Sequence, residues 1–129
     1  MQPAGVAASG GTMETIKELH IFRESENISD SIWKDVLNWD LFCRDTIGKE
    51  LVNSIDSVNA SIAESHSHRS RHGRMHYLYT ARGLLFKTLV LVEKASRREL
   101  SLVPEVRSAV ERLLPHINEY IAQAERAPD

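Results

Sequence analysis

Histidines and arginines crowd into one short stretch of the chain. Between residues 66 and 76, four of the six histidines and three arginines occur without a single acid. An arginine guanidinium can donate two hydrogen bonds to the oxygens of one phosphate, and a neutralised phosphate releases its counterions. This composition therefore favours a surface that binds nucleic acid or another anionic partner. A solvated charged turn has the same composition and is the alternative. The candidate residues are His66, His68, Arg69, Arg71, His72, Arg74 and His76.

A metal site in this stretch is a third interpretation. His68, His72 and His76 recur at intervals of four and would share one face if the surrounding helix began early. Zinc would also need a fourth ligand or a water, and the sequence places neither Cys43 nor a carboxylate beside these histidines. Because short histidine-rich tracts arise readily, we predict no metal and no other cofactor.

The usual sequence patterns of catalysis are missing. There is no Gly-rich phosphate loop, no Ser-His-Asp arrangement and no Cys-x-x-Cys pair. Glu64 and Arg82 are interpreted as a structural ion pair between two helices, because no nucleophile or second carboxylate accompanies them and charges near a bundle core are tolerated when paired. The sequence therefore predicts neither an enzyme nor a small-molecule substrate.

Four stretches of apolar residues at helical spacing would position these side chains. The predicted helices cover about 27–39, 45–63, 74–97 and 101–126, with Asp45 or Thr46 capping the second and a polar turn over 64–73. Short connections predict an all-α, antiparallel up-down-up-down four-helix bundle. The aromatic residues that follow the same spacing are interpreted as packing rather than base-stacking residues: Trp33, Trp39, Tyr77 and Tyr79.

The third predicted helix carries more apolar surface than packing within one bundle requires. Beside its main stripe, Leu84 and Leu91 lie on a second stripe that is predicted to point outward. We interpret these two leucines as part of an interface between copies of the chain, and Gly83 as a point where two helices touch. The sequence therefore predicts a homo-oligomer.

The second helix carries a recognisable motif. The run from Asp45 to Glu64, DTIGKELVNSIDSVNASIAE, followed by Ala81-Arg82-Gly83, resembles the bacterial four-helix-bundle proteins first noticed in intervening sequences of large-subunit ribosomal RNA genes. The resemblance covers about residues 28–122. This chain departs from the family pattern at three positions, where it has Ser61, Ser65 and Lys87.

The resemblance implies a fold, an assembly and partners. Members of this family are similar in forming ring-shaped pentamers, and relatives act as accessory proteins of diversity-generating retroelements that bind a reverse transcriptase and nucleic acid through a basic surface. For this chain it implies a pentamer, with RNA, DNA or a reverse transcriptase as candidate partners.

Composition sets the remaining expectations. The chain has 129 residues, a net charge of -2 and one cysteine, which are typical of a cytoplasmic protein without disulfides or a membrane span. We expect a flexible tail over 1–13, a lead-in over 14–26, the bundle over 27–126 and a short tail over 127–129. The leading hypothesis is a non-enzymatic homo-oligomeric scaffold or adaptor with a basic rim. The alternative is a purely structural or protein-interaction oligomer without nucleic-acid binding.

Overall fold

A computed structural model describes residues 12–128 of the chain. Residues 1–11, which make up most of the predicted N-terminal tail, and residue 129 lie outside this description. The described part is helical, without strands, and four of its helices are long. The elements are α1 (Met13–Ile16), α2 (His20–Leu37), α3 (Leu41–Cys43), a π-helical turn (Arg44–Gly48), α4 (Lys49–Ser67), α5 (Arg71–Arg97) and α6 (Glu105–Arg126).

Helix α2 begins well before the predicted start at residue 27. Ile21 and Phe22 are buried in the core, so the segment predicted as a lead-in already belongs to the helical body. Ser25 occupies a further buried position, where its Oγ donates to the carbonyl of Phe22 and accepts from Asn59 Nδ2 on α4, 2.9 Å away. A small hydroxyl that is bonded in this way can fill a core position without an unpaired polar group.

The second long helical segment also begins earlier than predicted. Asp40, rather than Asp45 or Thr46, caps it, because its Oδ1 accepts a hydrogen bond from the backbone N–H of Cys43 over 3.0 Å. The chain then passes through the π-helical turn before α4. Gly48 closes that turn against α2, and a Cβ there would lie 2.7 Å from Val36 Cγ1. The glycine therefore permits a close contact between the turn and α2.

The predicted polar turn over 64–73 is much shorter in the structure. Helix α4 runs to Ser67, and α5 begins at Arg71 with Ser70 as its cap, since Ser70 Oγ accepts from the N–H of Gly73 over 3.0 Å. Ser65 lies inside α4 and is buried, with its Oγ donating to the carbonyl of Ile62 over 2.6 Å. Most of the histidine- and arginine-rich stretch is therefore helical.

One apolar core joins the four long helices. Helix α4 packs against α2 and α5, and α6 packs against the same two helices. A polar pair crosses this core where Ser54 Oγ and Thr88 Oγ1 lie 2.8 Å apart. Each fully buried large aliphatic side chain contributes about 1.5–3 kcal/mol. The largest of these are Ile21, Ile32, Leu51, Ile55, Ile62, Leu85, Leu113 and Ile117.

The connection from α5 to α6 is hydrogen-bonded to a residue just beyond the end of α2. Glu99 adopts a positive φ of 60°, and the N–H of Leu100 donates to the carbonyl of Ala95 over 2.9 Å, which ends α5 in a left-handed turn. The indole Nε1 of Trp39 donates to the carbonyl of Ser101 over 2.7 Å. Within the described residues, no helix is both long and apolar enough to cross a membrane.

Candidate functional site

The seven candidate residues of the sequence surround the junction of α4 and α5, which we call the basic corner. It comprises His66, His68, Arg69, Arg71, His72, Arg74 and His76. Arg69 lies in the connection, while His72 and His76 lie on the first turns of α5, and all three are exposed. The free N–H groups at a helix N-terminus favour anions, so the start of α5 adds to the positive potential of these side chains.

Four members of the basic corner also serve the fold. The guanidinium of Arg74 donates to the carbonyl of Arg69, and Arg71 Nη1 donates to the carbonyl of Glu125 on α6 over 3.3 Å. His66 Nε2 lies 3.1 Å from Thr15 Oγ1 on α1. The fourth of these residues is His68, whose ring stacks on that of Tyr77 with centroids 4.9 Å apart. These contacts hold the junction in place.

The three histidines at intervals of four do not converge on one point. His68 precedes α5 and stacks on Tyr77, whereas His72 and His76 lie on α5 itself. Across residues 12–128, the group of three side chains with metal-ligating atoms close together is elsewhere, formed by His20 and Glu24 of α2 with His116 of α6. Sequence reasoning missed this group because it placed the start of α2 after His20 and Glu24.

The predicted ion pair between Glu64 and Arg82 is wrong. Glu64 is exposed on α4, whereas Arg82 Nη1 donates to Asn118 Oδ1 on α6 over 2.9 Å. The guanidinium carbon of Arg82 also lies 5.1 Å from the ring centroid of Tyr79. Arg82 therefore links α5 to α6 rather than to α4. A salt bridge between α4 and α5 is formed instead by Lys87, whose Nζ lies 3.4 Å from Glu50 Oε1.

The apolar side chains that α5 exposes are not the predicted pair. Leu84 and Leu91 are partly buried and pack against the core of their own chain. The exposed apolar side chains of α5 are Tyr79, Phe86 and Val90, of which Phe86 is 51% and Val90 54% exposed. Their spacing places them along one side of the helix. We call these three residues the α5 face.

Gly83 lies between Tyr79 and Phe86 on the α5 face. A Cβ at Gly83 would meet nothing within 4 Å, so the expected contact between two helices does not occur there within one chain. A glycine in a helix interior costs about 1 kcal/mol relative to alanine. Packing inside the described part of the chain does not explain that cost.

A second set of exposed apolar residues surrounds the end of α2, and we call it the α2 face. It begins with Trp33, which is 54% exposed, and extends to Phe42, which is 76% exposed. The neighbouring Trp39 is instead buried, so the two tryptophans have different environments. The α2 face comprises Trp33, Leu37, Leu41 and Phe42.

The one cysteine lies at the edge of the α2 face. Partial burial, and to a smaller extent a hydrogen bond to Asp40, raises the pKa of the Cys43 thiol. The pKa of Asp40 is lowered, chiefly because its carboxylate accepts the backbone N–H of Cys43. A raised pKa reduces the fraction of thiolate at neutral pH, so Cys43 is not suited to act as a nucleophile.

The comparisons with known proteins give no relative. No protein-family model, no curated protein and no solved structure matches the chain.

Proposed function

We propose that the chain is a non-enzymatic scaffold that assembles into a homo-oligomeric ring and offers its basic corner to nucleic acid. The observation that carries the proposal is the pair of exposed apolar faces, one around the end of α2 and one on α5. Apolar patches on the surface of a small protein mark contacts with partners. The resemblance supplies the expected number of five subunits, and a nucleic-acid enzyme such as a reverse transcriptase as a further partner.

The proposed subunit is an antiparallel up-down-up-down four-helix bundle. Contacts between α5 and α6 support opposite chain directions, because Tyr79 meets Glu125, Arg82 meets Asn118 and Glu93 meets Arg107. The same reversal relates α2 to α4, where Ser25 contacts Asn59 and Ser29 contacts Asp56. In each set of contacts the residue numbers increase along one helix as they decrease along the other, as antiparallel neighbours require.

The positions of the two faces favour a ring over a symmetric dimer. Helices α2 and α5 each pack against both α4 and α6, and we expect the α2 face and the α5 face to lie on different sides of the subunit. A contact between unlike faces of two copies leaves one face of each copy free for the next. Such head-to-tail contacts close into a ring when a whole number of identical rotations from copy to copy makes up one full turn. Gly83 then leaves room on the α5 face for the neighbouring copy.

The basic corner is the proposed contact with nucleic acid. Arg69, His72 and His76 are exposed there. The N-terminus of α5 adds a partial positive charge beside them. The chain as a whole carries a net charge of -2, so attraction to phosphate must come from this local concentration of positive groups. A ring repeats the corner in every subunit, and multivalent contacts raise the overall affinity without any new contact.

A protein-interaction oligomer without a nucleic-acid role is the second candidate. The negative net charge favours it, and so do the two apolar faces, which suit protein partners as well as other copies. Affinity for nucleic acid separates the two candidates.

The test is the fluorescence anisotropy of labelled single-stranded RNA, with duplex DNA as a second probe, titrated with the protein at several salt concentrations. We expect binding whose affinity falls steeply with salt, because each neutralised phosphate releases a counterion. Binding should strengthen below pH ~6.5, where exposed histidines gain charge. Changing Arg69, Arg71 and Arg74 together to Ala should weaken it and reduce the salt slope.

The matched control removes three positive charges from the other end of the same helix, by changing Lys94, Arg97 and Arg98 to Ala. This control should leave most of the affinity intact, because its charges lie far from the basic corner. Equal losses in the two triple variants would show that only the total charge matters. No binding at low salt and pH 6 would exclude the nucleic-acid role and favour the protein-interaction oligomer.

A further inference from the structure

We propose that His20, Glu24 and His116 form a binding site for a divalent transition metal of the zinc type, which joins α2 to α6. His20 Nε2 lies 3.1 Å from Glu24 Oε1, and His116 Nδ1 lies 2.7 Å from the same oxygen. One potential ligand atom from each residue lies within 4.8 Å of the others. Two imidazoles therefore converge on one carboxylate from two helices.

The donor set is one that zinc uses in proteins. Two histidine nitrogens and a carboxylate oxygen leave one coordination position for water or another ligand. Zinc binds nitrogen and oxygen donors at about 2.0–2.2 Å, so neighbouring donors of a tetrahedral site are about 3.3 Å apart. The distances of 2.7 and 3.1 Å to Glu24 Oε1 are about 0.6 and 0.2 Å shorter than that separation. The donor atoms must therefore move slightly apart to admit the ion.

The backbone of α2 fixes two of the three ligands. His20 and Glu24 are four residues apart on that helix, so their side chains lie one above the other on the same side. The third ligand comes from α6, which packs against α2, and the rings of His20 and His116 meet edge to face with centroids 5.5 Å apart. His20 is 61% exposed, so an ion can reach the group from solvent.

The group also links the two helices when no metal is bound. His116 Nδ1 is then hydrogen-bonded to Glu24 Oε1, and His20 Nε2 lies 3.1 Å from the same oxygen. Metal binding needs each of these two nitrogens without a proton, so a neutral ring carries its proton on the other nitrogen and a charged ring releases one proton to solvent. The same three side chains therefore link α2 to α6 in both states, and the ion adds stability only in the folded chain.

The test uses protein from which any affinity tag has been removed. Because His72 and His76 can also attract metal, the background for all measurements is the variant His72→Ala/His76→Ala. We expect calorimetric titration with Zn²⁺ to give one site per chain, and Co²⁺ to produce the visible absorption bands of tetrahedral coordination. Zn²⁺ should also raise the melting temperature.

Three single changes in that background address the ligands: His20→Ala, Glu24→Gln and His116→Ala. Each should weaken Zn²⁺ binding by at least about tenfold, because even partners outside the coordination sphere contribute 10–100-fold. Circular dichroism without metal checks that each variant folds, and His20→Ala is the safest of the three because that side chain is mostly exposed. Ser57→Glu, at an exposed position of α4, is the control that should leave the affinity unchanged.

Two results would overturn the proposal. One is the absence of Zn²⁺ binding by the His72→Ala/His76→Ala background. The other is binding that persists at full affinity in the folded His20→Ala and Glu24→Gln variants, which would place the ion elsewhere.

Discussion

Arg82 Nη1 donates a hydrogen bond to Asn118 Oδ1 over 2.9 Å and so joins the middle of α5 to α6. The same guanidinium lies over the ring of Tyr79, whose hydroxyl donates to Glu125 Oε2 over 3.3 Å. These contacts lie at the surface rather than in a sealed core. They orient α5 and α6, and each is weaker than a buried ion pair.

Arg82→Ala should therefore destabilise the chain by only about 1 kcal/mol, the sum of a solvent-exposed hydrogen bond and a cation–π contact. Denaturant unfolding of Arg82→Ala, Asn118→Ala and the double variant should show coupling between the two residues. Glu64→Gln should be additive with Arg82→Ala. A loss of about 3 kcal/mol or more in Arg82→Ala, as for a broken buried pair, would contradict this assignment.

Gly48 should tolerate alanine poorly. The added Cβ would lie 2.7 Å from Val36 Cγ1 and 3.0 Å from the carbonyl oxygen of Cys43, and neither atom is the end of a flexible side chain. We expect Gly48→Ala to destabilise the chain by about 1–3 kcal/mol, as other overpacked substitutions do. Gly83→Ala is the matched control, because open space surrounds Gly83. At concentrations where the monomer dominates it should stabilise by about 1 kcal/mol.

Asp40 should give part of the acid sensitivity of the fold. The hydrogen bond from the N–H of Cys43 lowers the pKa of Asp40 below its ordinary 3.8. This contribution is therefore present above about pH 3.8 and is lost as the pH falls through the lower pKa of the folded state. Asp40→Asn keeps a capping side chain that does not titrate. Its melting temperature should fall less steeply than that of the wild type between pH 4 and about pH 2.

The start of α2 shows why part of the fold was not predictable from the sequence. The period of apolar residues is clear from Ile28 onward, and there the prediction of a helix is confirmed. Before it, the polar run 23–27 interrupts the period, although Ser25 is buried and bonded to Asn59. Ser25 can fill a core position because Asn59, which is distant in sequence, donates a hydrogen bond to its hydroxyl. A search for apolar residues at helical spacing cannot detect such a position.

The candidate sites show a similar division. The composition of the basic corner was readable from the sequence, but the contacts of His66 with Thr15 and of Arg71 with Glu125 join distant parts of the chain. The spacing of His20 and Glu24 was also visible in the sequence. Their approach to His116, which is 92 positions beyond Glu24, depends on the packing of α6 against α2.

The two apolar faces should both be needed for assembly. Trp33→Glu and Phe86→Glu should each give monomers, because each places a charge in a contact between unlike faces. Each variant retains one intact face, so an equimolar mixture should form a dimer of one copy of each and stop there. Ser57→Glu, on neither face, should assemble like the wild type. A mixture that stays monomeric would contradict head-to-tail contacts.

The mass of the wild-type particle tests the central claim most directly. Size-exclusion chromatography with multi-angle light scattering, at micromolar concentration and physiological salt, should give a single species of several times the chain mass of 14.6 kDa. Five copies are expected from the resemblance to the ring-forming family. A particle of 14.6 kDa would contradict the account, because the exposed faces on α2 and α5 would then have no second copy to cover them.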